Sequence, residues 1–524
     1  MLDLVISGGK IIDGSGAPWF RADLGIAGGR IVSLGRLKGQ KSKKRIVAND
    51  LVVSPGFIDI HTHSDLTLLV NGRTESKIRQ GVTTEVIGNC GYSPAPVAEK
   101  YREELAGQLK DDYNLELTWS SFAEYIEHLK SSPISVNVVP LVGHGALRAA
   151  VLGYENRPAT PAELSKMKGL LKEAIAAGAA GFSSGLIYPP SAYADSAELV
   201  ELARVAAEQG GIYTTHMRYE GAQLIEGVRE AIMVGEKSGI PVQISHHKVT
   251  DRGSWGLVSG SLRLIEQARR RGVDLSCDLY PYLATATGLS ATLPDWAHQG
   301  GLKAMLARLV DPTISEEIRA ELVRTQQHQG WENIVISSVH NKENQRWEGL
   351  DLKSISEELG LEPAEAVLEI LVREKGRVGM IRFAMCEDDL KTVLRHHLTM
   401  IGSDGSSRAD YGILARGKPH PRNFGTFPRV LGKYVREEGV ISLEEAINKM
   451  TGLPAWRLGL ARKGLLREGM DADLTIFDPD QVIDRATFLN PLQYPTGIKQ
   501  VIVAGQIVVT DNEHTGVKTG QILL

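Results

Sequence analysis

The stretch Gly56-Phe57-Ile58-Asp59-Ile60-His61-Thr62-His63-Ser64-Asp65 decides the reading of this chain. A short strand-prone run leads into two histidines spaced i, i+2. On a strand, such residues point to the same face. Two imidazoles at the end of a buried strand can grip one cation from one side, and neutral imidazole is a common ligand for zinc and related metals. An isolated H-x-H more often ends a core strand and nothing more. The partners that follow at matching positions decide between the two.

Outward from this run, short apolar segments alternate with helical stretches, the pattern of βα units and a parallel sheet. Eight strands are expected: 57–60, 83–87, 136–141, 180–183, 211–215, 242–245, 273–277 and 399–402. Helices fit between them. Thr160 and Pro161 open one as N-cap and first helical residue, and 196–209 and 224–237 carry apolar residues at helical spacing. Eight units point to a (β/α)8 TIM-type barrel, whose functional residues lie at the C-terminal strand ends.

Both termini read differently. Short strands punctuated by Gly8-Gly9, Gly28-Gly29 and Ala504-Gly505 suggest hairpins. The expected organisation is α/β: a small β-sandwich domain from residues 1–54 and 456–524, and a barrel over 55–455. The gap between the last two barrel strands is read as an insertion at about 284–398, either a pocket wall or lid on the catalytic rim or a peripheral decoration.

The polar residues at the expected strand ends form a set. His61 and His63 end the first strand, Cys90 follows the second, His216 ends the fifth, His246 the sixth, and Asp404 the eighth. All are N, S or O ligand types for a borderline metal. A single Cys in such a core is usually a small hydrophobe, and a single Ser-Asp-Gly is usually a turn. Their joint placement at one end of a barrel argues for a metal site.

Composition narrows the function class. Of 524 residues, 59 are Lys or Arg and 63 are Asp or Glu, a formal charge of −4. No basic stripe argues for nucleic acid. Cys90, Cys277 and Cys386 are odd in number and far apart, which fits a reducing compartment rather than a disulfide framework. The N-terminus lacks the features of a secretory signal, and no apolar run approaches the roughly 20 residues of a membrane span. A cytoplasmic location is expected, with a small molecule as partner and no nucleic acid or membrane. A homo-oligomer is compatible with the chain.

The sequence resembles the amidohydrolase superfamily and, within it, the N-acyl-D-amino-acid deacylases (D-aminoacylases), over nearly its whole length. The resemblance rests on Gly56 to His63, the Cys-bearing turn Gly88 to Pro96, Thr215-His216-Met217-Arg218 and Ser245-His246-His247-Lys248. It extends through Ile401 to Gly405, Lys418 to Arg422, Gly425 to Arg429 and the tail from Lys463 to Asp473. The fourth strand, Gly181-Phe182-Ser183-Ser184-Gly185, lacks the lysine that bridges two metals in many superfamily members.

The resemblance implies that Cys90, His216 and His246 hold a tight Zn2+, with His61 and His63 serving a second, weaker position that Cys90 can bridge. It implies Asp404 as general base and acid near the metal. Tyr188, Lys248 and Arg422 would bind the substrate α-carboxylate, with Tyr280 and Tyr282 as weaker candidates. The implied reaction is hydrolysis of the linear amide of an N-acyl-D-amino acid to a carboxylate and a free D-amino acid. The alternative is another amidohydrolase reaction, such as opening a cyclic imide, hydantoin or dihydropyrimidine; the missing lysine weighs against it. A barrel without chemistry, serving as an assembly module, would be expected to lose ligands or base, and all six positions are present. His144 and His247 are expected to pack.

Overall fold

The computed structural model describes residues 1–326 and 329–523. Its centre is a closed ring of eight parallel strands: β1 (Phe57–Asp59), β2 (Val82–Ile87), β3 (Asn137–Pro140, continuing as Val142–Gly143), β4 (Gly181–Gly185), β5 (Ile212–His216), β6 (Val242–Ile244), β7 (Leu275–Leu279) and β8 (Thr399–Ile401). Each is buried along its whole length, as both-face coverage demands.

Strand β3 pairs with β2 through its first part and with β4 through its second, so the ladder passes through Leu141. The ring closes where His61 O accepts from Asp404 N at 2.8 Å and His63 N donates to Gly405 O at 3.1 Å. Closure therefore brings the ends of β1 and β8 together, and with them two histidines and an aspartate.

Local sequence explains the crossover helices. Thr160 and Glu163 form a reciprocal capping box at the start of Pro161–Ala176, with Pro161 in the first turn. Helix Leu224–Ser238 ends at Gly239, whose φ of 75° suits a residue without a Cβ.

Strand boundaries differ from the sequence reading by one or two residues at most ends. The largest difference is at β7, which runs to Leu279 rather than stopping at Cys277. Asp278 consequently lies inside the strand end, facing the ring interior.

The two termini join in one nine-stranded sheet. Leu2–Ile11 pairs with Phe20–Ala27, Ser42–Val47 and Val52–Pro55, and the last of these pairs with Leu474–Phe477 from the C-terminal segment. Ile31 at one end of the path and Ile502 near the other share a core with Leu4, Ile6 and Leu474. The sheet therefore curls until its arms face each other. Gly56 N donates to Asp473 O at 2.8 Å, and Thr475 Oγ1 donates to Gly81 O at 2.7 Å, fixing this domain to the start of the barrel.

Between β7 and β8 a three-stranded antiparallel sheet forms from Ala284–Gly288, Gly379–Phe383 and Ile334–Ser338. Four helices, including Pro312–Gln326 and Pro363–Arg373, pack on it around a separate core that contains Trp347, Leu322 and Val367.

Candidate metal centre

The end of β2 turns through Gly88-Asn89-Cys90-Gly91. Gly88 has φ 80°, and a Cβ there would lie 1.9 Å from Leu141 O. Asp65 Oδ1 accepts from Gly88 N at 2.8 Å, and Ser183 Oγ accepts from Gly91 N at 2.9 Å. These contacts press the turn onto β3 and β4 and carry Cys90 over the ring. Cys90 itself has φ 52°, His246 34° and Asp404 52°. L-residues seldom adopt this region, and such outliers gather at functional sites.

The ligand atoms of Cys90, His216 and His246 lie within 4.8 Å of one another, and those of His61, His63, Cys90 and Asp404 form a second group on the same criterion. Cys90 belongs to both. Its Sγ is 3.2 Å from His61 Nε2 and 3.6 Å from His246 Nε2. Asp404 Oδ1 lies 3.0 Å from His63 Nε2 and 3.5 Å from His61 Nε2.

This donor set fits a divalent metal. Thiolate and imidazoles are zinc ligands, and the shared thiolate can serve two positions. His216 supplies an independent sign: both ring nitrogens are buried without a hydrogen-bond partner among the described residues. Glu220 Oε2 lies 3.4 Å from its Nε2, outside hydrogen-bond geometry. Buried polar atoms are rarely left unpaired, and a metal ligand is one that a bound cation satisfies.

Electrostatics agree. Burial alone would push the Cys90 thiol up, but the imidazoles around it, His61 first and then His216 and His246, outweigh it and hold the thiol well below its ordinary range. Burial opposes charge on His61, yet Cys90 and Asp278 hold it well above the imidazole range. His63 is raised to about 9 against its burial, chiefly by its hydrogen bond to Asp404 and the neighbouring Cys90. These imidazoles hold protons tightly beside anionic partners, so a cation that binds must displace them. Burial disfavours the Asp404 carboxylate, but Arg422 and His246 outweigh it and keep it ionised.

Two residues absent from the sequence reading orient the histidines. Asp278 Oδ1 lies 3.2 Å from His61 Nδ1 and accepts from His246 N at 2.9 Å, while its Oδ2 accepts from Gln243 Nε2 at 2.6 Å. Glu220 Oε1 is 3.0 Å from His246 Nδ1 and accepts from Lys248 Nζ at 2.6 Å. Carboxylates behind metal-ligating histidines fix ring orientation and raise basicity. An aspartate right after Cys277 was a readable signal had the strand been placed two residues later. Glu220 has none, since only the loop after β5 returns it to His216.

The expected substrate-binding side chains stand as follows. Tyr188 and Lys248 line a cavity of about 700 Å³ that opens over the ligands, as does Tyr280. Tyr188 OH lies 3.1 Å from Thr287 Oγ1, and its ring is 5.1 Å from that of His216. Arg422 is set behind the wall: Nη1 donates to Asp404 Oδ2 at 2.7 Å and Nη2 to Ala286 O at 3.2 Å, with the guanidinium 4.7 Å from the Tyr280 ring. To take a substrate carboxylate it must share or exchange that partner. Tyr282 is buried away from the cavity near Asp484. His144 sits between Ser191 and Glu198, at 2.9 and 2.8 Å, and His247 against Ser261 at 2.8 Å; neither is within the two ligand groups.

A barrel with this thiolate-histidine rim defines a class, and residues 46–509 match the amidohydrolase family model. The chain belongs to the amidohydrolase family. It is 39% identical to the D-aminoacylase of Alcaligenes xylosoxydans xylosoxydans, over 99% of this chain and 97% of that protein. It is 37% identical to the N-acyl-D-glutamate deacylase of the same organism, over 96% of this chain and 93% of that one. The structure also matches that of N-acyl-D-glutamate deacylase from Bordetella bronchiseptica, complexed with zinc and a phosphonate inhibitor that mimics the reaction's tetrahedral intermediate. That match has a TM-score of 0.84 and 36% identity and covers 100% of this chain and 99% of that one. Among the described residues, no helix is long and apolar enough to cross a membrane.

Proposed function

We propose that the chain hydrolyses the amide bond of N-acyl-D-amino acids to a carboxylate and a free D-amino acid, with zinc at Cys90, His216 and His246. His61 and His63, with Cys90 beside them, would hold a second and weaker position. The observation that carries the reading is the single carboxylate, Asp404, held between His63 and Arg422 at the edge of two ligand groups that share one thiol. The relatives named above lend the D preference and the linear amide.

When bound, zinc supplies Lewis acidity toward the amide carbonyl and acidifies water. The chain's own residues do the rest. Asp404, kept ionised by Arg422, takes a proton from the attacking water and delivers it to the departing amine. Tyr188 and Lys248 orient the substrate through its α-carboxylate, and Arg422 adds its charge from behind them while it stays paired with Asp404. Asp278 and Glu220 keep the imidazoles aimed. No observation favours the cyclic-amide alternative, and β4 carries serines where a bridging lysine would stand.

The test is incubation of zinc-loaded protein with racemic N-acetyl-leucine, N-acetyl-methionine, N-acetyl-phenylalanine and N-acetyl-glutamate, with products resolved by chiral chromatography. D-amino acids alone should appear. Asp404→Asn should lower kcat by about 10²–10⁴-fold, the range for a lost general acid-base group. Release of L-amino acids, or full activity in the Asn variant, would refute the assignment.

A further inference from the structure

The insertion contributes one wall of the cavity, and that wall carries a cation, Arg382, for which the described residues supply no ion-pair partner. In the antiparallel pair of Ala284–Gly288 with Gly379–Phe383, Thr285 stands opposite Arg382 and Thr287 opposite Met380. Residues two apart on a strand share a face, so these four side chains form one surface, and all four line the cavity. Arg382 Nε is buried without a hydrogen-bond partner, and among the described residues no carboxylate forms an ion pair with the guanidinium. Asp251, the acidic group that bears on it electrostatically, is occupied by Ser254 Oγ at 2.6 Å and Gly253 N at 3.3 Å. Lys248, the lysine of the same lining, is paired with Glu220, and Arg422 behind the wall is paired with Asp404.

Burial draws the Arg382 pKa down to about 10, which leaves it charged at neutral pH. Arg382 is half-buried, and its buried Nε, without a partner among the described residues, leaves a hydrogen bond that an anion in the cavity can supply.

The wall also sets the anion's position. Thr287 touches Tyr188, and Tyr188 packs beside the ligand His216. Arg382 belongs to the next pair along the sheet, roughly 7 Å farther on by the two-residue repeat of a strand. The α-carboxylate of an N-acyl amino acid is two bonds from the scissile nitrogen and belongs in the Tyr188 layer. A group that meets Arg382 lies in a different layer of the cavity wall from the α-carboxylate.

We infer that Arg382 is a specificity-determining residue for a second carboxylate on the substrate, remote from the scissile amide. The inference rests on the deacylase reading and names the substrate class within it: N-acyl-D-amino acids with an anionic side chain, or with a dicarboxylic acyl group. Both sources offer the same bidentate partner to the guanidinium.

Zinc-loaded full-length protein should be assayed with N-acetyl-D-glutamate, N-succinyl-D-leucine and N-acetyl-D-leucine, as wild type, Arg382→Gln and Arg382→Lys. The quantity read is kcat/KM for each carboxylate-bearing substrate divided by that for N-acetyl-D-leucine, so a general loss of folding or activity cancels. The Gln variant should lower this ratio by about 10- to 100-fold for one of the two substrates, mainly through KM, as loss of a charge-assisted pair predicts. The Lys variant should restore part of it. A fall confined to N-acetyl-D-glutamate places the carboxylate on the amino-acid side chain; one confined to N-succinyl-D-leucine places it on the acyl group. Ratios unchanged within twofold for both would overturn the role of Arg382 while leaving the deacylase reading intact. Absence of turnover with every N-acyl-D-amino acid would overturn the deacylase reading and this inference with it.

Discussion

At the scale of single residues, this site is held by groups that would be unstable elsewhere. Cys90, His246 and Asp404 occupy left-handed backbone at a cost of about 1–3 kcal/mol each, repaid only if their side chains must point into the ring. Glu85, on β2, is fully buried; Ser64 donates to one oxygen, and the other has no hydrogen-bond partner among the described residues. Burial raises its pKa to about 7, above its unfolded value. A raised carboxylate stabilises the fold below the unfolded pKa and loses that contribution as pH rises through about 7. Glu85→Gln stays neutral, so its stability relative to wild type should improve between pH 5 and pH 8 by up to about 3 kcal/mol. Denaturant melts at the two pH values test this, and an equal difference at both would refute it. The histidine pair and the thiol turn are legible in the sequence because strand alternation and glycine punctuation are local signals. Asp278 and Glu220 are not, because their roles depend on a strand end and a loop return that no local pattern fixes.

At the scale of elements, the junction of β1 and β8 is the point on which the site depends. Lys77, in the short helix Glu75–Ile78, is fully buried. Its Nζ donates to Asp59 Oδ2 at 2.8 Å, Ser403 Oγ at 2.5 Å and Gly405 O at 3.1 Å. Asp59 Oδ1 in turn accepts from Ser403 N at 2.8 Å. One ammonium thus ties β1, just ahead of the segment that bears His61 and His63, to the loop that carries Asp404. Lys77→Met should cost about 3–5 kcal/mol, because it leaves the Asp59 charge buried without its partner. It should also reduce activity more than stability alone explains, since His63 and Asp404 would lose their common anchor. Denaturation and kinetics on the same preparation check this; a loss below about 1 kcal/mol would contradict it. The eight barrel strands are readable because each is a short apolar run between turn signals. The insertion's sheet is not: Ala284–Gly288 pairs with Gly379–Phe383 across more than ninety residues, and nothing local marks such a register.

At the scale of the whole molecule, three units meet at one cavity or support it. The terminal sheet fastens the start of the barrel, the barrel rim presents the ligands, and the insertion supplies the wall that bears Thr287 and Arg382. On the proposed function, the chemistry falls to the barrel and the choice of substrate to the insertion, in keeping with a scaffold whose strand ends carry the reaction while its rim segments vary. On the proposed function, zinc at Cys90, His216 and His246 is inseparable from hydrolysis of N-acyl-D-amino acids. The most direct measurement is to strip the protein with chelator, add zinc stepwise, and follow bound metal and D-selective hydrolysis together. Activity should rise with the first equivalent, and His216→Ala should lose both tight zinc and turnover. Undiminished hydrolysis by the stripped protein, or a zinc-replete protein that cleaves no N-acyl-D-amino acid, would contradict it.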